Sequence, residues 1–372
     1  MKLTRKILVM LAMIVLTTVV AVGIYFSTAY NFTVDSLKGT FKSYGNDTIT
    51  AIEQTEPISI LLMGVDTGSA ERTDQWVGNS DSMMVVTVNP KTKETTVTSL
   101  ERDILISLTG PEDNSMNGVQ AKLNAAYASG GAEMAIMTVE DLLDIDLDYY
   151  VQINMQGLVD LVDAVGGITV TNDFDFPIKI YEQEPEYTAQ VQPGTHKING
   201  DQALVYARMR YDDPEGDYGR QRRQRIVIQK IMEKLLAYDS LSSYQKVISA
   251  VSDNVQTDIK INSTTIPSLL GYKDALENVS NYQLHGQDAE FDGGSYQILT
   301  SDHLLETQNR IKSQLGQATS TTLKTTAILY EDLFGTFYGD DTYVSDEEAA
   351  TESDISTTET TQVSDAETYN QE

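Results

Sequence analysis

The chain has 372 residues, no cysteine and a formal net charge of −29. A surface this acidic excludes a general nucleic-acid binder, which needs a broad basic face, and the missing thiols exclude disulfide frameworks and thiolate catalysis. With 41% hydrophobic and 22% charged residues, the length suffices for one large core plus extensions.

Residues 1–6 form a short basic N-terminus with Lys2, Arg5 and Lys6. Residues 7–26 are an uninterrupted uncharged run, long enough as a helix to cross the ~30 Å hydrocarbon core of a bilayer. The preceding cations orient the N-terminus to the cytoplasm and the rest of the chain outward. Tyr25, Phe26, Tyr30 and Phe32 suit an interfacial aromatic anchor. A cleaved signal peptide is the rival reading, but its apolar core would be shorter, about 7–15 residues. The expectation is therefore an uncleaved transmembrane signal-anchor helix, a polar extracellular connector over 27–55 and a catalytic body outside the cell.

Ile58–Val65 has the length and branching of a buried strand, and it runs into Asp66. Met83–Asn89 is a second strand, preceded by Asp81. A turn at Asn89-Pro90-Lys91 then predicts a hairpin with Thr95–Leu100. Helical periodicity covers 132–143 and 155–165, with a strand over 149–154 between them and another over 168–171. Residues 172–200 read as loop and hairpin, 219–236 as a long helix, and further helices fall near 241–252, 263–276 and 302–315, with a strand near Tyr282. Helices alternating with buried strands predict a layered α/β domain over residues 56–317. Residues 318–372 read as a C-terminal extension, acidic and disordered from about residue 336.

The chemistry is concentrated between 208 and 225, where six arginines (208, 210, 220, 222, 223 and 225) stand within 18 positions. Guanidinium forks pair bidentately with phosphate or carboxylate, so such a cluster in an acidic chain points to an anionic ligand. On a helical projection Arg220 and Gln224 lie on the apolar stripe of Val227, Ile231 and Leu235, whereas Arg222 lies opposite. Arg220 is thus expected to point inward, and a buried charge needs a partner. Arg208 and Arg210 share a face if that segment is extended; a structural salt-bridge network is the competing account. Asp66 and Asp81 stand at strand ends, where two carboxylates suit Mg²⁺ with water and phosphate or merely cap turns, a common use of Asp. Arg102 is a further candidate phosphate contact, or else simply pairs with Asp103 or Glu101 on the surface; Lys122, opening an expected helix over 122–127, is another, or else a solvated first-turn lysine. A P-loop is absent, and His196, His285 and His303 lack metal-ligand spacing.

The segments Gly64-Val-Asp66, Asn79-Ser-Asp-Ser-Met-Met84, Ser99-Leu-Glu-Arg-Asp103, Lys122-Leu-Asn-Ala-Ala-Tyr127, Gly200 to Arg210 and Asp217 to Gln224, in that order, resemble the LytR-CpsA-Psr family. The resemblance implies an α/β/α fold around a central mixed sheet with a hydrophobic pocket for a polyprenyl chain. It implies a Mg²⁺-assisted phosphotransfer in which an anionic glycopolymer, of teichoic acid or capsular polysaccharide type, moves from a polyprenyl-pyrophosphate carrier to peptidoglycan. By the same resemblance Asp66 and Asp81 are metal and catalytic residues, Arg102 is catalytic and phosphate-binding, and Lys122, Arg208, Arg210, Arg220 and Gln224 complete the pyrophosphate site. The apolar faces of 132–143 and 226–236 are expected to line the lipid tunnel. One departure is a longer Asp66–Asp81 loop that carries Arg72, Asp74 and the only tryptophan, Trp76. The alternatives are a polyprenyl-pyrophosphate hydrolase at the same site and a non-enzymatic, membrane-anchored regulator or wall-polymer binding protein.

Overall fold

A computed structural model describes residues 40–43, 56–68, 75–180, 188–238, 241–259 and 271–337. The expected transmembrane helix, most of the connector and the acidic tail beyond 337 lie outside these residues, as do Arg72 and Asp74. Among the described residues no helix is long and apolar enough to cross a membrane.

The body is built on a six-stranded mixed sheet. Its strands are β1 (Ile58–Val65), β2 (Ser80–Asn89), β3 (Glu94–Leu100), β6 (Tyr149–Asn154), β9 (Val255–Thr257) and β10 (Val279–Leu284), in the order β10-β3-β2-β1-β6-β9. β2 pairs antiparallel with both β1 and β3, so the expected hairpin at Asn89-Pro90 forms. β1 runs parallel to β6, and β3 parallel to β10. The C-terminal ends of β1, β3, β6 and β10 therefore share one edge with the starts of β2 and β9.

The alternation of side chains along each strand divides the core between two faces. Leu61, Met63 and Val65 of β1 with Met83 and Val85 of β2 join a cluster containing Ala132, Ala135, Val139 and Leu142 of helix α1 (Ala125–Leu143), together with Leu304 and Ile311 of a later helix over 301–314. Ile58, Met84, Val86 and Val88 face the other way, against Tyr272 and Ala275. A third cluster joins α2 (Met155–Ala164), the hairpin of β7 (Ile168–Asn172) and β8 (Gly194–Ile198), α3 (Gly200–Arg208) and α4 (Asp217–Leu236). Helices thus cover both faces of a mixed sheet.

Several boundaries differ from the sequence expectation. α1 is interrupted where Gly130 and Gly131 take non-helical angles, Gly131 at φ 65°, so the regular helix starts at Ala132 as its periodicity predicts. Lys122 does not open a helix: it ends the short strand β5 (Gln120–Lys122), paired with β4 (Leu105–Ser107). The packed body continues beyond Gln317, because Ala327 is a core residue and the backbone amides of Ser107 and Ile328 bond to Thr326 and Leu105. At the opposite end, Thr40 and Lys42 pair with Thr257 and extend the β9 edge. The expected lipid tunnel is not formed by the two helix faces assigned to it. Ala132–Leu143 packs on one side of the sheet, whereas Val227 and Ile231 of α4 lie with the β7–β8 hairpin and Ile228 reaches the other side.

Candidate active site

The shared strand edge carries most of the expected site residues. β1 and β2 lose register between Gly64 and Val65: Gly64 faces Ser82, and Val65 faces Ser80. Asp81 is the extra residue, and a bulge of this kind re-aims a side chain at the end of a ladder. Its Oδ1 accepts from Nη1 of Arg102 at 2.9 Å, and its other oxygen accepts no hydrogen bond among the described residues. Asp66 is buried, and its Oδ1 accepts the backbone amide of Asn79 at 2.6 Å. A Cβ at Gly78 would strike that carboxylate, so the glycine makes room for it. Asp66 therefore organises the β1–β2 loop, as the turn-cap reading expects, while standing one strand from Asp81.

Asp217 is the hub of the cluster, and it opens α4, where a negative charge favours the helix dipole. Its Oδ1 lies 2.8 Å from Nη2 of Arg220, 3.2 Å from Nε of Arg210 and 3.9 Å from Nη2 of Arg102. Arg220 also reaches the Asp81 carbonyl at 3.4 Å. Asp81, Arg102, Arg210 and Arg220 are thereby brought together from β2, from the segment after β3, from the loop after α3 and from α4. Lys122 joins at the rim, with Nζ 2.9 Å from Asp103 and stacked over Tyr296 at 5.6 Å. The Nε–H groups of Arg102 and Arg220 are buried and donate no hydrogen bond. Unused buried guanidinium donors are costly unless a ligand supplies an acceptor.

The electrostatics have the same sense. Burial lowers the Arg220 pKa from its ordinary value, with Arg102 and Arg210 adding to the effect and Asp217 and Asp81 opposing it. Glu101, two per cent exposed, is pushed up to about 8, first by burial and then by Asp217 and Asp103, against Arg220 and a hydrogen bond from Gln283. Burial and the neighbouring carboxylates thus favour the protonated form of Glu101. The cluster then holds Arg102, Arg210, Arg220 and Lys122 against Asp81, Asp103 and Asp217.

The remaining arginines divide by role. Arg222 faces outward and pairs with Glu215 at 3.0 Å, as projected. Arg223 is buried against Asp213 and donates to the carbonyls of Tyr206 and Met209, which close α3. Gly219 permits this, because a Cβ there would collide with the Asp213 carboxylate. Arg225 is buried against the sheet, bonded to Ser99 at 2.8 Å and Gln283 at 3.3 Å. The projection therefore misses two inward arginines: the first half of α4 is enclosed on several sides, and one apolar stripe does not describe it. Gln224 is only half-buried, with its amide 3.4 Å from the Ala207 carbonyl. Arg208 ends α3 and Arg210 lies beyond it, so the two do not share an extended face. Sequence reasoning alone misses Asp217 and Glu101. The three-residue step from Asp217 to Arg220 is a readable signal for the first, whereas the burial of Glu101 leaves none.

The donor set suits a divalent cation in composition: carboxylates from neighbouring strand ends, with one Asp81 oxygen lacking a hydrogen bond. Among the described residues no group of three or more Asp, Glu or His side chains forms a metal cage, so substrate phosphate and water would have to complete the shell.

Comparison with known proteins converges on one group. Residues 24–313 match the LytR_cpsA_psr family. Biofilm regulatory protein A of Streptococcus mutans serotype c is 63% identical over 349 residues, 93% of this chain and 85% of that protein. The polyisoprenyl-teichoic acid–peptidoglycan teichoic acid transferase TagU of Enterococcus faecalis is 44% identical over 71% of this chain and 82% of its own. Among solved structures, protein gbs0355 of Streptococcus agalactiae superposes with a TM-score of 0.73 at 69% identity, over 76% of this chain and 96% of that one. TagT bound to LIIa-WTA gives 0.58 at 28% identity, over 74% and 97%.

Proposed function

The chain belongs to the LytR-CpsA-Psr family, and we propose that it is a membrane-anchored phosphotransferase acting outside the cell, which attaches an anionic glycopolymer to peptidoglycan from a polyprenyl-pyrophosphate carrier. The E. faecalis relative named for this transfer supports the reaction class. The observation that carries the reading is the convergence of Arg102, Arg210 and Arg220 on Asp217, with two buried guanidinium N–H groups left unused. A pyrophosphate supplies acceptors for those donors and relieves the repulsion among the three cations.

Phosphoryl transfer asks for positioning and charge neutralisation and for little covalent help from protein. In this reading an acceptor sugar hydroxyl attacks the sugar-proximal phosphorus, a new O–P bond forms, and the bridging P–O bond breaks to release polyprenyl phosphate. The hydroxyl proton passes to a carboxylate of the Asp66–Asp81 pair. Arg220 and Arg102 hold the phosphate oxygens, while Arg210 and Lys122 flank them. Asp66 and Asp81 would hold Mg²⁺, which when bound neutralises phosphate charge that the nearly balanced protein cluster does not. The polymer is of teichoic acid type on the strength of the relatives' names, and a capsular polysaccharide is the other anionic polymer of the right chemistry. The run over residues 7–26 would anchor the chain with its N-terminus in the cytoplasm.

The test incubates purified protein with polyprenyl-pyrophosphate-linked glycan and a peptidoglycan oligomer. Polymer covalently joined to the oligomer is expected. Free phosphorylated polymer would make the protein a hydrolase, and unchanged substrate held tightly would make it a binding protein.

A further inference from the structure

At the same strand edge, but toward β9, Gln75, Trp76, Ser252, Asp253, Val255 and Gln256 line a cavity of about 280 Å³. One wall is Gln75 and Trp76, shortly before β2, and the other is the turn into β9. Both walls are held from behind. The Thr67 hydroxyl donates to the Gln75 carbonyl and the Tyr127 hydroxyl to that of Trp76. Gln152 donates to Gln256 Oε1 at 2.8 Å, Asn154 donates to Asn254 at 3.0 Å, and Asn254 donates to Asp160 at 3.0 Å. The front of the cavity is left unpaired: the Gln75 amide, the Asp253 carboxylate and the Gln256 Nε2 make no hydrogen bond among the described residues. An indole beside planar amide and carboxylate groups is the chemistry that recognises sugars, with apolar ring faces and hydroxyl or acetamido edges.

We propose that this cavity is the subsite for the uncharged acceptor glycan. The inference rests on the transferase reading and assigns the second substrate's place within it. Charge favours the acceptor over the donor polymer, because the described lining holds the Asp253 carboxylate and no cation, a set that repels phosphate and tolerates neutral sugars. Position favours it too. From β9 through β6 and β1 to β2 there are three inter-strand steps, roughly 14 Å, so a short oligosaccharide seated here extends its end past Asp66 to Asp81.

Trp76 is the only tryptophan in the chain, so its emission reports this cavity without labelling. The experiment titrates the full chain in detergent with a tetramer of β-1,4-linked N-acetylglucosamine and follows that emission. A saturable change is expected, weakened about tenfold in Asp253→Ala and in Gln75→Ala by the loss of one hydrogen bond to a sugar. In transfer assays both variants should raise the KM for the peptidoglycan oligomer and leave the KM for the lipid-linked donor unchanged. No saturable change, or equal affinity in both variants, overturns the subsite. Since donor titration and transfer are measured on the same preparations, a protein that transfers polymer without this fluorescence response refutes the subsite alone. One that neither binds donor nor transfers refutes the transferase reading.

Discussion

Arg220 stands where three demands meet: it is buried, it opposes two other guanidiniums, and it shares Asp217 with both. Arg220→Ala should lower kcat about 10²–10³-fold, the usual cost of one donor to a developing charge. The fold should tolerate it, because Asp217 keeps Arg102 and Arg210; unchanged thermal unfolding beside lost turnover is the expected pair of readouts. Glu101 supplies a pH signature. Its pKa rises from 4.5 to about 8 on folding, so between those values the folded state binds more protons than the unfolded one. Its contribution to stability is then fully present below about 4.5 and is lost as pH rises through 8. Glu101→Gln should flatten that decline. Donor affinity should also drop above about pH 8 in the native protein, when a new carboxylate ionises beside Asp217, and this drop should be absent from the variant. Native and variant proteins losing donor affinity in parallel would show that Glu101 does not set the profile.

α4 carries two kinds of arginine on one helix, and they should fail differently. Arg223 is locked between Asp213 and the carbonyls that end α3. Removing it leaves a buried carboxylate uncompensated, a loss of about 3–5 kcal/mol. Arg223→Ala should therefore show a large fall in denaturant midpoint, with activity lost along with the fold, in contrast to Arg220→Ala. A variant of full stability would contradict this structural role for Arg223. This division is only partly legible in the sequence. Helical projection places Arg220 inward and Arg222 outward correctly, since both follow from a period of 3.6 residues. It misses Arg223 and Arg225 because α4 is enclosed by α3 and the sheet at once, a tertiary fact that periodicity along one helix does not contain. Similarly, β1, β2, β3, β6 and α2 are readable from apolar runs and turns, whereas the three-residue strands β4, β5 and β9 are too short to show a pattern.

Across the whole molecule, the fold delivers the ends of β1, β3 and β10, the start of β2 and the start of α4 to a single edge. Asp66, Asp81, Arg102, Arg210 and Arg220 are scattered over some 150 positions yet gather there. Their order along the chain is recognisable in the sequence. The sequence hints only at the pairing of Asp217 with Arg220, whereas the convergence of Arg102 and Arg210 on the same carboxylate appears only in the fold, as does the separation of the two helix faces expected to line a lipid tunnel. A protein with net charge −29 that concentrates guanidiniums at this edge directs anions to one place and repels them elsewhere. The most direct test of that claim is calorimetric titration of the full chain with a polyprenyl pyrophosphate, in parallel with Arg220→Ala. The native protein should bind one equivalent saturably, and the variant should bind at least about tenfold more weakly at an unchanged melting temperature. Equal affinity in the two proteins would contradict the assignment of the arginine cluster as the pyrophosphate site.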